Sequence, residues 1–110
     1  MKILTSRANL LAKTLRRLAR EGDPEGRTVF VEGVRLLEEA LASPGIRLDT
    51  LAATEDAAGR PREKVLVDRS REAGARIVSV SRELLAWISP LPSPPGIAIT
   101  PRFGVRVVNG

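Results

Sequence analysis

Hydrophobic positions change period at one glycine. In Arg27-Thr-Val-Phe-Val-Glu-Gly-Val-Arg-Leu-Leu-Glu-Glu-Ala-Leu41, the run Val29, Phe30 and Val31 is apolar and β-favouring, whereas Val34, Leu37 and Leu41 recur at helical spacing. A buried strand is therefore predicted to give way to a helix at Glu32-Gly33. A glycine there either admits the close approach of another backbone beside open helix N–H groups or only eases a tight turn. Upstream, Ser6 reads as an N-cap and Arg7 to about Arg20 as a helix, with Leu11, Leu15 and Leu18 at i, i+4 and i+7. Glu21-Gly-Asp-Pro-Glu-Gly26 is a turn-rich break.

Downstream, the second helix ends at Ser43-Pro44-Gly45 and a strand follows over Ile46 to Ala53. Residues 55–61 read as a polar loop. A third helix, Arg62 to Ala73, carries a thin stripe of Val65, Leu66 and Ala73 and stops at Gly74. Arg76-Ile-Val-Ser-Val80 alternates as a strand, and Ser81 caps a short helix with Leu84, Leu85 and Ile88. Ser89-Pro-Leu-Pro-Ser-Pro-Pro-Gly96 holds four of the eight prolines and reads as a stiff surface loop. Ile97 to Thr100 is a further strand, and Val105 to Val108 a last short strand or connector. Helices and strands thus alternate, which predicts an α/β fold: a three-layer α-β-α sandwich with a mostly parallel sheet.

Composition narrows the chemistry. One domain of 110 residues with 43% hydrophobic content can bury roughly two thirds of its unfolded surface. Without cysteine or histidine, the chain has no disulfide, no thiolate or imidazole metal site and no histidine-based triad. The nine glycines nowhere fall as G-x-G-x-x-G or a Walker loop. Glu38-Glu39 and Glu55-Asp56 are neighbours in sequence and point apart on a helix rather than converging. Met1 to Arg7 lacks a signal peptide's apolar run, and no stretch approaches the roughly 20 apolar residues of a membrane span. A cytoplasmic protein without a membrane partner is expected.

The net charge of +5 is concentrated at one end. Lys2, Arg7, Lys13, Arg16, Arg17 and Arg20 give the first twenty residues +6 with no acid, leaving −1 for the rest. On the first helix Lys13, Arg16, Arg17 and Arg20 lie opposite the leucines, with Asn9 at the border. A solvated helix face normally mixes signs to gain i,i+4 pairs, so this strip favours RNA or DNA over plain solvation, an anionic membrane being the competing surface. Trp87 either stacks a base or joins the core or a subunit contact, and the leucines around it favour the second.

Ser6-x-x-Asn9-x-x-x-Lys13-x-Leu15-x-x-Leu18, followed by Arg27 to Leu41 with its Phe30-Val-Glu-Gly33, resembles the opening of the SpoU/TrmH family of RNA 2'-O-ribose methyltransferases. Val78-Ser-Val-Ser81, Leu84-Leu85 and Ser93-Pro-Pro-Gly96-Ile-Ala extend the likeness to about residue 100. The resemblance implies an N-terminal RNA substrate-binding domain over residues 1–100, similar in fold to the kink-turn-binding ribosomal proteins. Residues 101–110 would be a final short strand or a linker toward a catalytic domain absent from this chain. That absent domain would bind S-adenosylmethionine and form the parent homodimer, with rRNA or tRNA as partner.

By position, Asn9, Lys13, Arg27, Glu32 and Gly33 match the family motif as RNA-binding candidates; the helical wheel adds Arg16 and Arg17, and the N-terminal basic patch adds Arg7 and Arg20. Glu32 is expected to position rather than to meet phosphate, since a carboxylate must accept from a base, a 2'-hydroxyl or a protein N–H. Reversal of Arg16 and Arg17 to Glu is expected to abolish RNA binding without unfolding the domain. The family commonly has glutamine before its last-loop glycine where this chain has Pro95, so no polar contact carries over there. Its catalytic Asn/Arg and cofactor-knot motifs have no counterpart here, Asn109 being the only asparagine after Asn9. The expectation is a non-catalytic part of a longer enzyme, without a cofactor of its own. The alternatives are a stand-alone structural RNA-binding protein of ribosomal type and a protein-interaction module.

Overall fold

The computed structural model describes residues 2–103. The predicted last strand over Val105 to Val108 lies outside the described residues. The elements are β1 (Ile3–Leu4), α1 (Leu10–Glu21), β2 (Val31–Glu32), α2 (Val34–Ala42), β3 (Ile46–Ala53), α3 (Glu55–Ala58), α4 (Pro61–Glu72), β4 (Arg76–Val80), α5 (Arg82–Ile88) and β5 (Ile97–Phe103). The five strands form one sheet in the order β1-β4-β3-β5-β2.

Three layers result because the strands alternate. From β3, Leu51 and Ala53 face one side with Ile97 and Ile99 of β5, under Leu37 of α2 and Leu66 and Val67 of α4. Ala52 and Val80 face the other side, under Ala12 and Leu15 of α1 and Leu84, Leu85 and Ile88 of α5. Leu37, Leu51, Leu66, Leu84, Leu85, Ile88, Ile97 and Ile99 are all fully buried. Each such side chain contributes about 1.5–3 kcal/mol relative to exposure. In α4 the inward stripe is Glu63, Leu66, Val67 and Ser70, while the expected Val65 is exposed. Glu63 tolerates that position because Arg60 Nη1 donates to its Oε2 at 3.1 Å.

The sheet is mixed rather than mostly parallel. β1 and β3 both run parallel to β4, but β5 is antiparallel to β3 and to β2. A parallel crossover would need α5 to carry the chain back along the sheet, and its seven residues cover only about 10 Å. The proline-rich loop instead returns the chain to the end it left: the Gly96 carbonyl accepts from Thr54 N–H, just past β3, at 2.9 Å. β5 therefore starts where β3 stops, with Ile97 opposite Ala53.

Several boundaries also move. The strand predicted at Val29 to Val31 is an edge strand of two residues, Val31–Glu32, with Thr28 bridging Arg102 separately. The polar loop at 55–61 contains the one-turn helix α3, capped by Thr54. Ser6 does not cap α1; its Oγ accepts from Ala8 N–H in a preceding turn, and Asn9 is the N-cap, its Oδ1 accepting from Ala12 N–H at 3.0 Å. β5 runs three residues past the expected Thr100, to Phe103.

Candidate functional site

α1 buries Ala12 and Leu15 and turns its cations toward the C-terminal end of α5. Helix ends leave carbonyls without intrahelical partners and carry partial negative charge. Two arginines use them. Arg16 Nη1 donates to the Trp87 carbonyl, and Arg20 Nη2 donates to the carbonyls of Trp87 at 3.3 Å and Ser89 at 3.0 Å. The Arg16 guanidinium also lies over the indole of Trp87, 4.5 Å from the ring centroid. Arg7, in the turn before α1 rather than on the helix, comes within 5.5 Å of the same centroid. Partial desolvation, and then the nearby charges of Arg20 and Arg7, pull the Arg16 guanidinium below its ordinary pKa.

Lys13 and Arg17 differ from these neighbours. Both are exposed, and among the described residues neither makes an ion pair or a side-chain hydrogen bond. Lys13, Arg16, Arg17, Arg20, Glu21 and Trp87 together line an open cavity of about 370 Å³.

Ser89 joins this cationic cluster to the glycine corner. Its carbonyl receives Arg20, and its buried hydroxyl donates to Glu32 Oε2 at 2.6 Å. Glu32 Oε1 is buried with no hydrogen-bond partner. Burial raises the Glu32 carboxyl pKa, and the Ser89 hydrogen bond opposes that rise. Gly33, at φ +97°, is the N-cap of α2 and supplies no capping side chain. Its own N–H donates to the Ile97 carbonyl at 3.0 Å.

The proline-rich loop roofs the corner. A Cβ on Gly33 would meet only Pro95 Cγ, at 3.8 Å, so Pro95 offers an apolar contact where the family's glutamine would be polar. Gly96, at φ +91°, is more constrained: a Cβ there would stand 2.8 Å from Ala57 Cβ and 3.1 Å from Thr54 Oγ1.

The predicted site residues thus divide. Arg7, Lys13, Arg16, Arg17 and Arg20 gather around Trp87, and Ser89 couples them to Glu32 and Gly33. Asn9 is occupied as the α1 cap and lines a different cavity with Leu10, Thr14 and Arg76, away from the strip. Arg27 stands apart. Its carbonyl accepts from Phe103 N–H while Glu32 pairs with Ala98, five residues back along β5, which is about 16 Å of strand. Its exposed guanidinium pairs with Glu25 at 3.4 Å.

Sequence reading missed Ser89, whose only signal was a serine ending a helix before proline. It favoured core or a subunit contact for Trp87 over base stacking; the residue does pack, half-buried, against the core beneath α1 and α5, and its ring also lies under arginines and lines the cavity. Among the described residues no three acidic side chains converge as a metal site, and no helix is long and apolar enough to cross a membrane.

The fold has counterparts among solved structures. An rRNA methyltransferase from Sinorhizobium meliloti is 22% identical with a TM-score of 0.74, the match covering 92% of this chain and 36% of that one. The AdoMet-bound rRNA methyltransferase of the same organism gives 21% identity and a TM-score of 0.74, over 94% and 37%. A structure described as an RNA 2'-O ribose methyltransferase is 26% identical with a TM-score of 0.72, over 99% and 40%. The chain therefore spans two fifths or less of the length of these proteins. No curated protein matches it. The family model described as MRM3-like substrate binding domain matches residues 9–98, most of the chain, in agreement with the substrate-binding domain expected from Phe30-Val-Glu-Gly33 and its surroundings; the chain belongs to that family.

Proposed function

We propose that this chain is the RNA-binding, substrate-recognition domain of an RNA 2'-O-ribose methyltransferase of the SpoU/TrmH type, non-catalytic by itself and acting in the cytoplasm on rRNA or tRNA. The observation that carries the reading is the cationic face of α1 coupled through Ser89 to the Glu32–Gly33 corner, with Lys13 and Arg17 lacking any protein partner among the described residues. Uncompensated cations of this kind serve to neutralise phosphates and set the register of a polyanion. Glu32 acts as a positioning group, one oxygen holding the Ser89 hydroxyl and the other buried away from solvent. Trp87, shared with two guanidinium groups, offers little apolar anchor to a protein-interaction module.

S-adenosylmethionine would be the methyl donor of the parent enzyme. The cavity on α1 does not fit it, because Lys13, Arg16, Arg17 and Arg20 would repel its sulfonium. The donor, and the homodimer contact, are assigned to a catalytic domain outside this chain.

Lys13 and Arg17 are the residues on which to test the proposal. Reversing Arg16 as well would set a carboxylate against the Trp87 carbonyl, so the Arg16/Arg17 reversal no longer separates binding from folding. Affinity of this chain for a labelled RNA stem-loop, measured against salt, should fall linearly on a log–log plot. Lys13→Gln with Arg17→Gln should reduce the slope by roughly 1.4 to 1.8, about 0.7 to 0.9 per lost phosphate contact. A flat salt dependence in the wild type would refute the reading.

A further inference from the structure

The cavity on α1 pairs cations with an aromatic wall, and phosphate binding alone does not call for the wall. Trp87 lines it together with Lys13, Arg16, Arg17 and Arg20, and Glu21 is the one acid at its edge. The Arg16 guanidinium, 4.5 Å from the indole centroid, is held by the Trp87 carbonyl, so the two planar groups are fixed relative to each other. Lys13 and Arg17 stand one turn apart on the exposed side. Its volume of about 370 Å³ lies within the range of small-ligand sites, about 300–1,000 Å³.

We propose that this cavity receives one unpaired nucleotide of the bound RNA, its base stacked on the Arg16 guanidinium where it covers the Trp87 ring and its phosphate held by Lys13 and Arg17. The inference rests on the RNA-binding reading above and names the form of RNA that this part of the site takes. Unstacked bases are recognised on aromatic rings and on arginine planes, whereas a duplex keeps its base faces covered. The cluster is self-repelling as it stands: partial desolvation and the charges of Arg20 and Arg7 both depress the Arg16 pKa, and an entering phosphate relieves that repulsion. A membrane surface fits less well. None of the exposed large apolar side chains, Leu10, Leu36, Val65, Leu91 and Phe103, lines the cavity, so no apolar rim accompanies the indole into lipid.

Trp87 is the only tryptophan, so its fluorescence reports on this cavity alone. The chain is titrated with a short oligoadenylate, with the same strand in duplex, with polyglutamate and with phosphatidylserine vesicles. Saturable quenching by the single strand is expected, with little change from the other three. Equal quenching by the duplex or by polyglutamate, or a blue shift with vesicles, overturns the proposal. Trp87→Leu should weaken single-strand binding about tenfold while leaving duplex affinity within about twofold, and Trp87→Phe should retain most of it. Unchanged single-strand affinity in a folded Trp87→Leu protein overturns the nucleotide pocket and leaves the RNA-binding reading standing. Loss of all salt-dependent RNA binding in the wild type removes both. Should Trp87→Leu fail to fold, Lys13→Gln with Arg17→Gln decides: the quenching midpoint should rise about tenfold, and an unmoved midpoint refutes the pocket.

Discussion

Replacing Gly96 by alanine tests whether the proline-rich loop is held over the glycine corner by backbone approach. Two costs follow from the geometry. At φ +91° any L-residue is strained, which costs about 1–2 kcal/mol. The new methyl would also stand 2.8 Å from Ala57 Cβ and 3.1 Å from Thr54 Oγ1, both on buried residues, and overpacking of this kind costs about 1–3 kcal/mol. The sum is about 2–5 kcal/mol, a large share of the roughly 5–15 kcal/mol that a domain has. Gly74→Ala is the control, because Gly74 has φ +96° and nothing within 4 Å of its added Cβ, so only the first cost applies. Urea denaturation followed by circular dichroism should place Gly96→Ala about 1–3 kcal/mol below Gly74→Ala. A double variant with Ala57→Gly should recover part of that gap, since it removes the nearer clash. Equal destabilisation of the two alanine variants would refute the close approach, and with it the claim that Gly96 locks the loop to the end of β3.

Two further predictions concern pH, with opposite signs. Burial raises the Glu32 carboxyl pKa, so the stability associated with it is full below the unfolded value near 4.3 and is lost as pH rises through the raised folded value. Glu32→Gln should therefore gain stability relative to the wild type as pH increases from about 4 to 7; a difference that does not change with pH would contradict the buried carboxylate. Asp23 is depressed, chiefly by the backbone N–H of Glu25 and further by those of Arg27 and Thr28, against a smaller opposing effect of desolvation. Its contribution is present above the unfolded value near 3.9 and is lost as pH falls through the depressed value, so Asp23→Asn should flatten the acid limb of the stability curve.

What could be read from the chain depended on whether a signal was local. Hydrophobic period placed β3 and β4 to the residue, and the Ser81 cap placed α5, because those patterns are set by neighbours a few positions away. The strand direction of β5 was not local. It depends on α5 being too short to cross the sheet and on a loop whose end is fixed by a hydrogen bond to Thr54, forty-two residues earlier. The cap of α1 failed for a different reason: Ser6 and Asn9 are both good caps three residues apart, and each finds an N–H to accept from.

At the candidate site the same distinction separates charge from partnership. A count along the first helix located the cations, but their division into two kinds could not be read from it. Arg16 and Arg20 are drawn inward by carbonyls at the end of α5, a helix that begins more than sixty residues later. Lys13 and Arg17, on the same helix face by spacing, meet no such acceptors and are exposed to solvent. The strip is thus part scaffold and part exposed charge, and Trp87 is where the two meet. Its carbonyl anchors the scaffold arginines while its ring forms a wall of the cavity that Lys13 and Arg17 line. A residue that packs against the core beneath α1 and α5 and is covered by Arg16 explains why an indole among leucines reads as core in the sequence and also lines a cationic cavity in the fold.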